Sequence, residues 1–406
     1  MVKLIFLGGL FPNESRREIE SKSTGVIQYA ADALQWAIVT GLDNYYSQNF
    51  KLVNLPYIGS FPKRYSDLKT KTFKFSHIKG ANDINVGFIN LPIYKLYSRF
   101  YQAKKTLKKV IDNDNTIIII YAIHTPFIKA AIDIKKNNPS VKICLIVPDL
   151  PEFMDDDKSF IRKYLKNIEK GLLNKYLKEI DSFVVLSDYM HLPLQINNRP
   201  WVRVEGIFEQ KTDNIVLEKE PFKTILYTGT LAKRYGILNL LEAFSLIKNN
   251  DYRLWICGDG DAKEELELMA KEDSRIKYFG QLSREEVIKL QKKATVLVNP
   301  RISEGEFTKY SFPSKTMEYL ASGTPCVLYR LQGIPEEYFD YCYMSEEETP
   351  LGLYKTIISV CEKEQSELNE FGEKAKRFIL ENKNPEIQCK KIYNMLSKFE
   401  LNENTK

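Results

Sequence analysis

Several residues and patterns are scarce in this chain, and their scarcity narrows its possible functions. Only three histidines occur in 406 residues. The six cysteines, Cys144, Cys257, Cys326, Cys342, Cys361 and Cys389, show no CxxC and no metal spacing. Cys144, Cys257 and Cys326 sit inside apolar strand-like runs and read as small buried residues of a reducing compartment. No apolar run reaches the ~18–20 residues of a membrane span. No GxGxxG appears, and "GDGD" (258–261) alone is a weak sign, because such turns occur wherever strands meet helices. The opening "MVKLIFLGGLFP" is too short for a leader. No small-residue cleavage site follows it, and Glu14, Arg16, Arg17 and Glu18 come straight after, so it reads as a buried first strand.

What is present is an ordinary globular composition. Charged residues make up 28%, which argues against disorder. A prior of ~150 residues per domain gives two or three domains. The net charge of +6, mostly lysine, suits anionic partners such as nucleotides, phospholipids or pyrophosphates and does not call for nucleic acid.

Short apolar runs alternate with segments of helical period. "KLIFL" (3–7) leads through a Gly-rich turn to helical 25–42. "TIIIIY" (116–121), "KICLIV" (142–147), an amphipathic stretch at 158–178 and "SFVVLS" (182–187) follow. This punctuation predicts a parallel sheet covered on both faces. A polar stretch at 209–221 reads as a linker, and the pattern then restarts. Strands are expected at 223–229, 253–258, 276–280, 295–300 and 325–330, with helices at 236–249, 262–272 and 283–293 between them. The expected fold class is α/β, with two doubly wound domains at 1–205 and 206–384 and a helical tail at 385–406. Ligands in such sheets bind beyond the carboxyl ends of the strands, and two such domains facing each other make a cleft.

The segment "FPSKTMEYLASGTPCV" (312–327) is a short helix with a purpose. Met317, Leu320 and Ala321 form one apolar face. Pro313 suits its first turn, and Gly323 with Pro325 suits its stop. Ser314, Lys315 and Glu318 are left off the apolar face, at the end of a helix where an anion is favoured. The loops "TGTLAKRYG" (228–236), "GDGD", "GQLS" (280–283) and "NPRISEGEFTKYSFPSK" (299–315) follow consecutive strands. Together they offer backbone amides, cations and a carboxylate on one rim. A diphosphate with a ribose diol would satisfy all three. The candidate donor-binding residues are Gly229, Thr230, Lys233, Arg234, Gly258, Leu282, Arg301, Tyr310, Phe312, Pro313, Ser314, Lys315 and Glu318, with Gly8 and Gly9 from the first domain.

From about Lys223 to Glu337 the chain resembles the donor-binding domain of retaining glycosyltransferases with the two-domain GT-B fold, glycosyltransferase family 4. The likeness is strongest in "SFPSKTMEYLASGTPCVLYRLQGIPEEY", whose form resembles a branch that builds bacterial surface polysaccharides. A weaker likeness covers Gly8-Gly9 and His124. The resemblance implies that Glu318 holds the donor ribose, that His124 serves the active site, and that no metal cofactor is needed. Three departures stand out. Tyr310 occupies the place of the family's first glutamate, with Glu304 and Glu306 nearby, of which Glu306 is the candidate replacement. Thr230 and Tyr235 occupy the places of its phosphate-binding arginine and lysine. Lys233, Arg234, Arg301 and Lys315 are the cations that can take over.

Two charged stretches remain. "DDD" (155–157) is read as helix-start acids rather than a metal motif. "PIYKLYSRFYQAKKTLKKVI" (92–111) carries six cations, interleaved tyrosines and no acid, which fits a solvated basic face or contact with an anionic membrane. The reading is a cytosolic transferase, peripheral on the inner face of the plasma membrane. It moves a sugar from a nucleotide-diphosphate donor to a glycan or lipid-linked acceptor. A nucleotide-sugar epimerase of the same fold, or a non-catalytic partner subunit, remain the alternatives.

Overall fold

The structure, a computed structural model, describes residues 2–111, 115–150, 171–210 and 217–401. The Asp155–Asp157 triplet and most of the 158–178 segment lie outside the described residues, as does part of the 209–221 stretch. The chain divides into two compact units, Met1–Ile207 with Pro385–Lys406, and Phe208–Asn384.

In the first unit the described elements run β1 (Lys3–Gly8), α1 (Arg16–Lys22), α2 (Tyr29–Tyr46), β2 (Phe50–Asn54), β3 (Phe73–Phe75), β4 (Asp83–Asn85), α3 (Tyr94–Val110), β5 (Thr116–Tyr121), α4 (Thr125–Asn137), β6 (Lys142–Val147), β7 (Ser182–Val185) and β8 (Trp201–Arg203). The sheet order is β3-β4-β2-β1-β5-β6-β7-β8, and β3 alone runs antiparallel. Every residue of β5 is buried. A run of isoleucines suits a strand covered on both faces, and each such side chain contributes roughly 1.5–3 kcal/mol of burial. Strand order reverses between β1 and β5, so Gly8-Gly9 and His124 lie at the point where such sheets bind ligands.

The second unit runs β9 (Lys223–Thr228), α5 (Ile237–Ser245), β10 (Tyr252–Cys257), α6 (Lys263–Glu272), β11 (Ile276–Tyr278), α7 (Arg284–Lys293), β12 (Val296–Asn299), α8 (Ser314–Ser322), β13 (Cys326–Tyr329), β14 (Tyr343–Ser345), α9 (Pro350–Cys361) and α10 (Gln365–Asn382). Its sheet is wholly parallel, in the order β11-β10-β9-β12-β13-β14. That is the doubly wound Rossmann order, and its reversal lies between β9 and β12. Local signals fix the helix ends. Ser283 and Glu286 form a reciprocal capping box on α7. Gly323 ends α8 in the left-handed conformation, at φ 79°.

The last helix, α11 (Pro385–Leu401), belongs to the first unit. Cys389, Ile392, Met395 and Leu396 are buried with Ile38 and Leu42 of α2, and the Tyr45 and Tyr393 rings stack at 4.8 Å. Gly41 admits this contact, because a β-carbon there would stand 2.3 Å from the Pro385 carbonyl oxygen. Gly41→Ala should therefore push α11 off its seat, at an overpacking cost of ~1–3 kcal/mol. Backbone hydrogen exchange across 385–401 is expected to quicken about tenfold or more, tracking that loss of local stability. Unchanged exchange would mean that the seat yields without cost.

Candidate functional site

Site building in the second unit begins with glycine. At Gly258 a β-carbon would lie 1.8 Å from the Gly229 carbonyl oxygen, and φ there is 142°. Only glycine permits that approach. The Gly229 amide donates to the Cys257 carbonyl at 3.0 Å, Gly258 to Gly280 at 2.9 Å, and Leu231 to Asp259 at 2.9 Å. The loops after β9, β10 and β11 are thus laced backbone to backbone.

The position of α8 is set from inside the sheet. The buried Tyr319 hydroxyl accepts from the Thr228 amide at 2.8 Å and donates to the Thr228 carbonyl at 3.0 Å. Burial holds this phenol well above its ordinary pKa, so it stays a donor. Asn299 at the end of β12 donates to the Thr316 hydroxyl at 3.2 Å. The first turn of α8 therefore stands at the strand-order reversal.

On that turn Glu318 and Lys315 meet. Lys315 Nζ lies 3.0 Å from each Glu318 carboxylate oxygen, and its Cε lies 3.7 Å from where a Gly229 β-carbon would be. Gln291 of α7, itself buried, donates to Glu318 Oε1 at 2.7 Å and to the Thr228 hydroxyl at 3.3 Å. Sequence reading missed Gln291. Its signal was a polar residue on the face that Val287 and Ile288 mark as inward. The arrangement gives an oriented carboxylate that can accept two hydroxyl protons, beside an ammonium and a glycine turn that can take phosphate.

The other candidates separate into two groups. Arg301 is 7% exposed. It donates to the Ser311 hydroxyl at 2.8 Å, and its Nε is buried without a partner. Its guanidinium lies 5.3 Å from the Tyr235 ring and 4.8 Å from Phe307. Arg234 approaches the same rings at 5.3 and 5.9 Å. Two cations therefore converge on Tyr235, where the family pattern expects a lysine. Ser314 is exposed on the first turn and Thr230 is exposed beside Gly229, its carbonyl accepting from the Tyr227 hydroxyl at 2.7 Å. Glu306, itself exposed, opens a single turn at 306–308, with Glu304 exposed before it, and the Tyr310 amide bonds back to the Phe307 carbonyl at 3.1 Å.

Four candidates are engaged elsewhere. The Lys233 ammonium is ion-paired with Glu265 on α6. Phe312 is a core residue, its ring 5.1 Å from Tyr338, and Pro313 is buried at the helix start. Leu282 packs partly buried against the same core.

In the first unit the Gly9 amide donates to the buried Gln35 side chain at 2.7 Å. The Tyr57 ring lies over Gly9, 2.5 Å from a β-carbon there. The Gly9 amide is thus satisfied internally rather than offered outward, and Gly8 is likewise backed by Phe6 and Gln35. His124 stands at the start of α4 between the Tyr57 and Phe127 rings, both edge-on to it, at 5.6 and 4.5 Å. Burial, and then the charges of Arg99 and Lys95, hold its imidazole well below the ordinary histidine range.

Residues 208–378 match the family described as Glycosyl transferases group 1. The match covers most of the second unit, Phe208–Asn384. Over 339 residues the chain is 23% identical to the uncharacterized glycosyltransferase MJ1178 of Methanocaldococcus jannaschii, covering 80% of this chain and 90% of that protein. Among solved structures it resembles sucrose-phosphate synthase of Thermosynechococcus elongatus, with a TM-score of 0.64 at 14% identity, over 98% of both chains. The lipopolysaccharide outer core galactosyltransferase WaaB gives 0.63 at 14%, again over 98% of both. Anabaena Alr3699/HepE, solved with UDP, gives 0.62 at 12% over 98% of this chain and 100% of that one. The fold of the chain is that of the GT-B glycosyltransferases, two Rossmann-like domains in succession.

Removing the Tyr319 hydroxyl isolates its structural share. Tyr319→Phe leaves the buried Thr228 amide and carbonyl short of a partner, and the expected loss is ~1–3 kcal/mol in denaturant unfolding. A loss below that range would mean the helix is seated by packing alone.

Proposed function

We propose that the chain transfers a sugar from a nucleotide-diphosphate donor to a hydroxyl of a glycan or lipid-linked acceptor, with retention at the anomeric carbon. The observation that carries this reading is the Glu318 carboxylate, oriented by Gln291 and Lys315 at the start of α8 beside the Gly229 turn. The UDP held by Anabaena Alr3699/HepE and the acceptor class named for WaaB support donor and acceptor of these kinds. The "SFPSK…EYLASG" form supports family 4 and surface-polysaccharide or glycoconjugate synthesis.

In the proposed reaction Glu318 binds the ribose hydroxyls. Lys315, Arg234, Arg301 and the Ser314 turn receive the diphosphate. The C1–O bond to phosphate loosens and its electron pair goes to the diphosphate, whose growing charge these groups stabilise. The acceptor oxygen bonds to C1 from the same side, and its proton passes to a phosphate oxygen. His124 orients the donor sugar, and Glu306 supplies a carboxylate to the sugar as it turns positive. No divalent metal enters these steps, so EDTA should leave turnover unchanged.

Incubation with nucleotide sugars separates the readings. Nucleotide release that requires an acceptor supports the transferase. Sugar isomerisation without an acceptor would point to an epimerase, and neither activity to a partner subunit. By calorimetry Glu318→Ala should weaken binding of the matching nucleoside diphosphate by ~1.5–3 kcal/mol. Glu306→Gln should cut turnover about tenfold, ~1.4 kcal/mol of barrier, with donor affinity kept. Unaltered affinity in the first variant would remove the anchoring of the site, and full turnover in the second would return the loop acid to a solvated charge.

We also propose that α3 rests on an anionic membrane, the inner face of the plasma membrane. Ile93 is 92% exposed, and Tyr94, Leu96, Tyr97 and Tyr101 are exposed beyond it. Tyr97 and Tyr101 stack at 6.5 Å. Lys105, Lys108 and Lys109 are exposed on the same helix, whereas Lys104 is ion-paired with Asp133 at 2.5 Å. Among the described residues no helix is long and apolar enough to cross a membrane. Changing Lys105, Lys108 and Lys109 to Gln should release the protein from phosphatidylserine vesicles, at about 1 kcal/mol per cation. Sedimentation that is absent in the wild type, or unchanged in the variant, removes the proposal.

A further inference from the structure

Arg99 is the largest fully buried side chain whose charge has no opposing acid. It lies on α3 and is 2% exposed. Among the described residues no carboxylate pairs with it. Its Nη2 donates to the Leu55 carbonyl, and its Nε is buried without a hydrogen bond. The guanidinium instead lies against three rings, 4.7 Å from Phe88 and 5.1 Å from both Tyr57 and Phe127. Ring faces attract a cation, and burial strengthens the contact.

Two of those rings are the ones that flank His124. Tyr57 and Phe127 stand nearly perpendicular to the imidazole, at interplanar angles of 87° and 86°. The Tyr57 hydroxyl is tied to the Tyr121 carbonyl at 2.7 Å. Arg99, the two rings and His124 thus form one packed box. One helical turn before Arg99, Lys95 donates to the Ile58 carbonyl at 2.5 Å. His124 Nε2 is buried and makes no hydrogen bond.

The groups that act on the imidazole all push one way. Arg99 and Lys95 on α3 are cations. Burial pushes up the phenols of Tyr57, from the loop after β2, and Tyr121 of β5, which leaves both uncharged. Burial and Arg99 bring Lys95 down to about 7, and burial brings Arg99 down to about 10. His77 is the internal contrast. Burial works against its charge, but hydrogen bonds to Asp83 at 2.7 Å and Asp43 at 3.3 Å outweigh burial and raise its pKa.

We propose that Arg99 is a positioning residue for His124: it fixes the two rings that wedge the imidazole and, as an unopposed cation, keeps a second positive charge off it, so that His124 meets a substrate hydroxyl through Nε2 as a neutral group. That the hydroxyl belongs to the donor sugar rests on the glycosyltransferase reading; the state of the ring does not. The chemistry favours such a device. A sugar losing its leaving group turns positive, and an imidazolium beside it would raise the barrier that a neutral ring leaves alone.

With only three histidines, ring-labelled protein gives three proton and nitrogen signals to follow by NMR against pH. In the wild type the His124 signal is expected to remain neutral well below the ordinary histidine midpoint, as burial beside a cation requires. In Arg99→Met the midpoint should rise by about one pH unit or more, and Arg99→Lys should restore the wild-type curve. An unmoved His77 signal shows that the unit is folded. Turnover in Arg99→Met should fall on the acid side with donor KM little changed. A wild-type His124 that titrates near 6.5, or an unmoved midpoint in Arg99→Met, overturns the proposal. If Arg99→Met does not fold, Lys95→Met decides, with a smaller upward move expected and none refuting it. Absence of transfer activity with the expected titration would sink the glycosyltransferase reading and leave the positioning intact.

Discussion

The Tyr319 hydroxyl exchanges both polar partners with Thr228, and α8 hangs on that exchange. Thr228 ends β9, one of the two strands between which the order of the second sheet reverses. A helix seated only by apolar packing can slide along a sheet at modest cost. One whose side chain closes two buried backbone groups cannot, because each unclosed group costs ~1–3 kcal/mol. Glu318 and Lys315 precede Tyr319 on the same helix, so their direction is inherited from it. Gln291 then removes the last freedom of the Glu318 carboxylate.

Each unit holds a buried arginine by means other than an acid. Arg99 lies against Tyr57, Phe88 and Phe127, and Arg301 against Tyr235 and Phe307. Each donates to a neutral oxygen, the Leu55 carbonyl or the Ser311 hydroxyl, and each has a buried Nε without a partner. An acid would have neutralised these charges and cancelled their field. Aromatic faces hold a cation and leave its field acting on what lies near. In the first unit that field falls on His124. In the second it joins Arg234 around Tyr235.

The parallel core of both units was legible because β-branched runs such as "TIIIIY" and "KICLIV" are buried on both faces and carry their signal locally. The strands β2 and β8 were not marked, since "FKLVN" and "WVR" are short and mix charge with apolar residues. The helix α10 has clear amphipathic spacing but lies beyond 325–330, the last strand that the alternating pattern predicts. In the candidate site Glu318 stood out because motif and helix signals coincide there. Gln291 and Arg99 did not, for their roles exist only through contacts far along the chain. The direction of Lys233 depends on Glu265, thirty-two positions on, and no local pattern carries that. Phe312 shows the converse: its motif is recognisable, yet its ring belongs to the core.

The return of α11 to the first unit has a consequence for synthesis. Residues 208–384 are contiguous and can close on themselves as soon as they leave the ribosome, since domains fold as units from the amino end. The first unit, although made earlier, is discontinuous. Ile38, Leu42 and Tyr46 of α2 wait for Cys389, Ile392 and Met395, which emerge only after the whole second unit. The earlier-made unit therefore completes its core after the later-made one, and a nascent chain stalled before residue 385 carries a finished second unit and a first unit with an uncovered apolar helix.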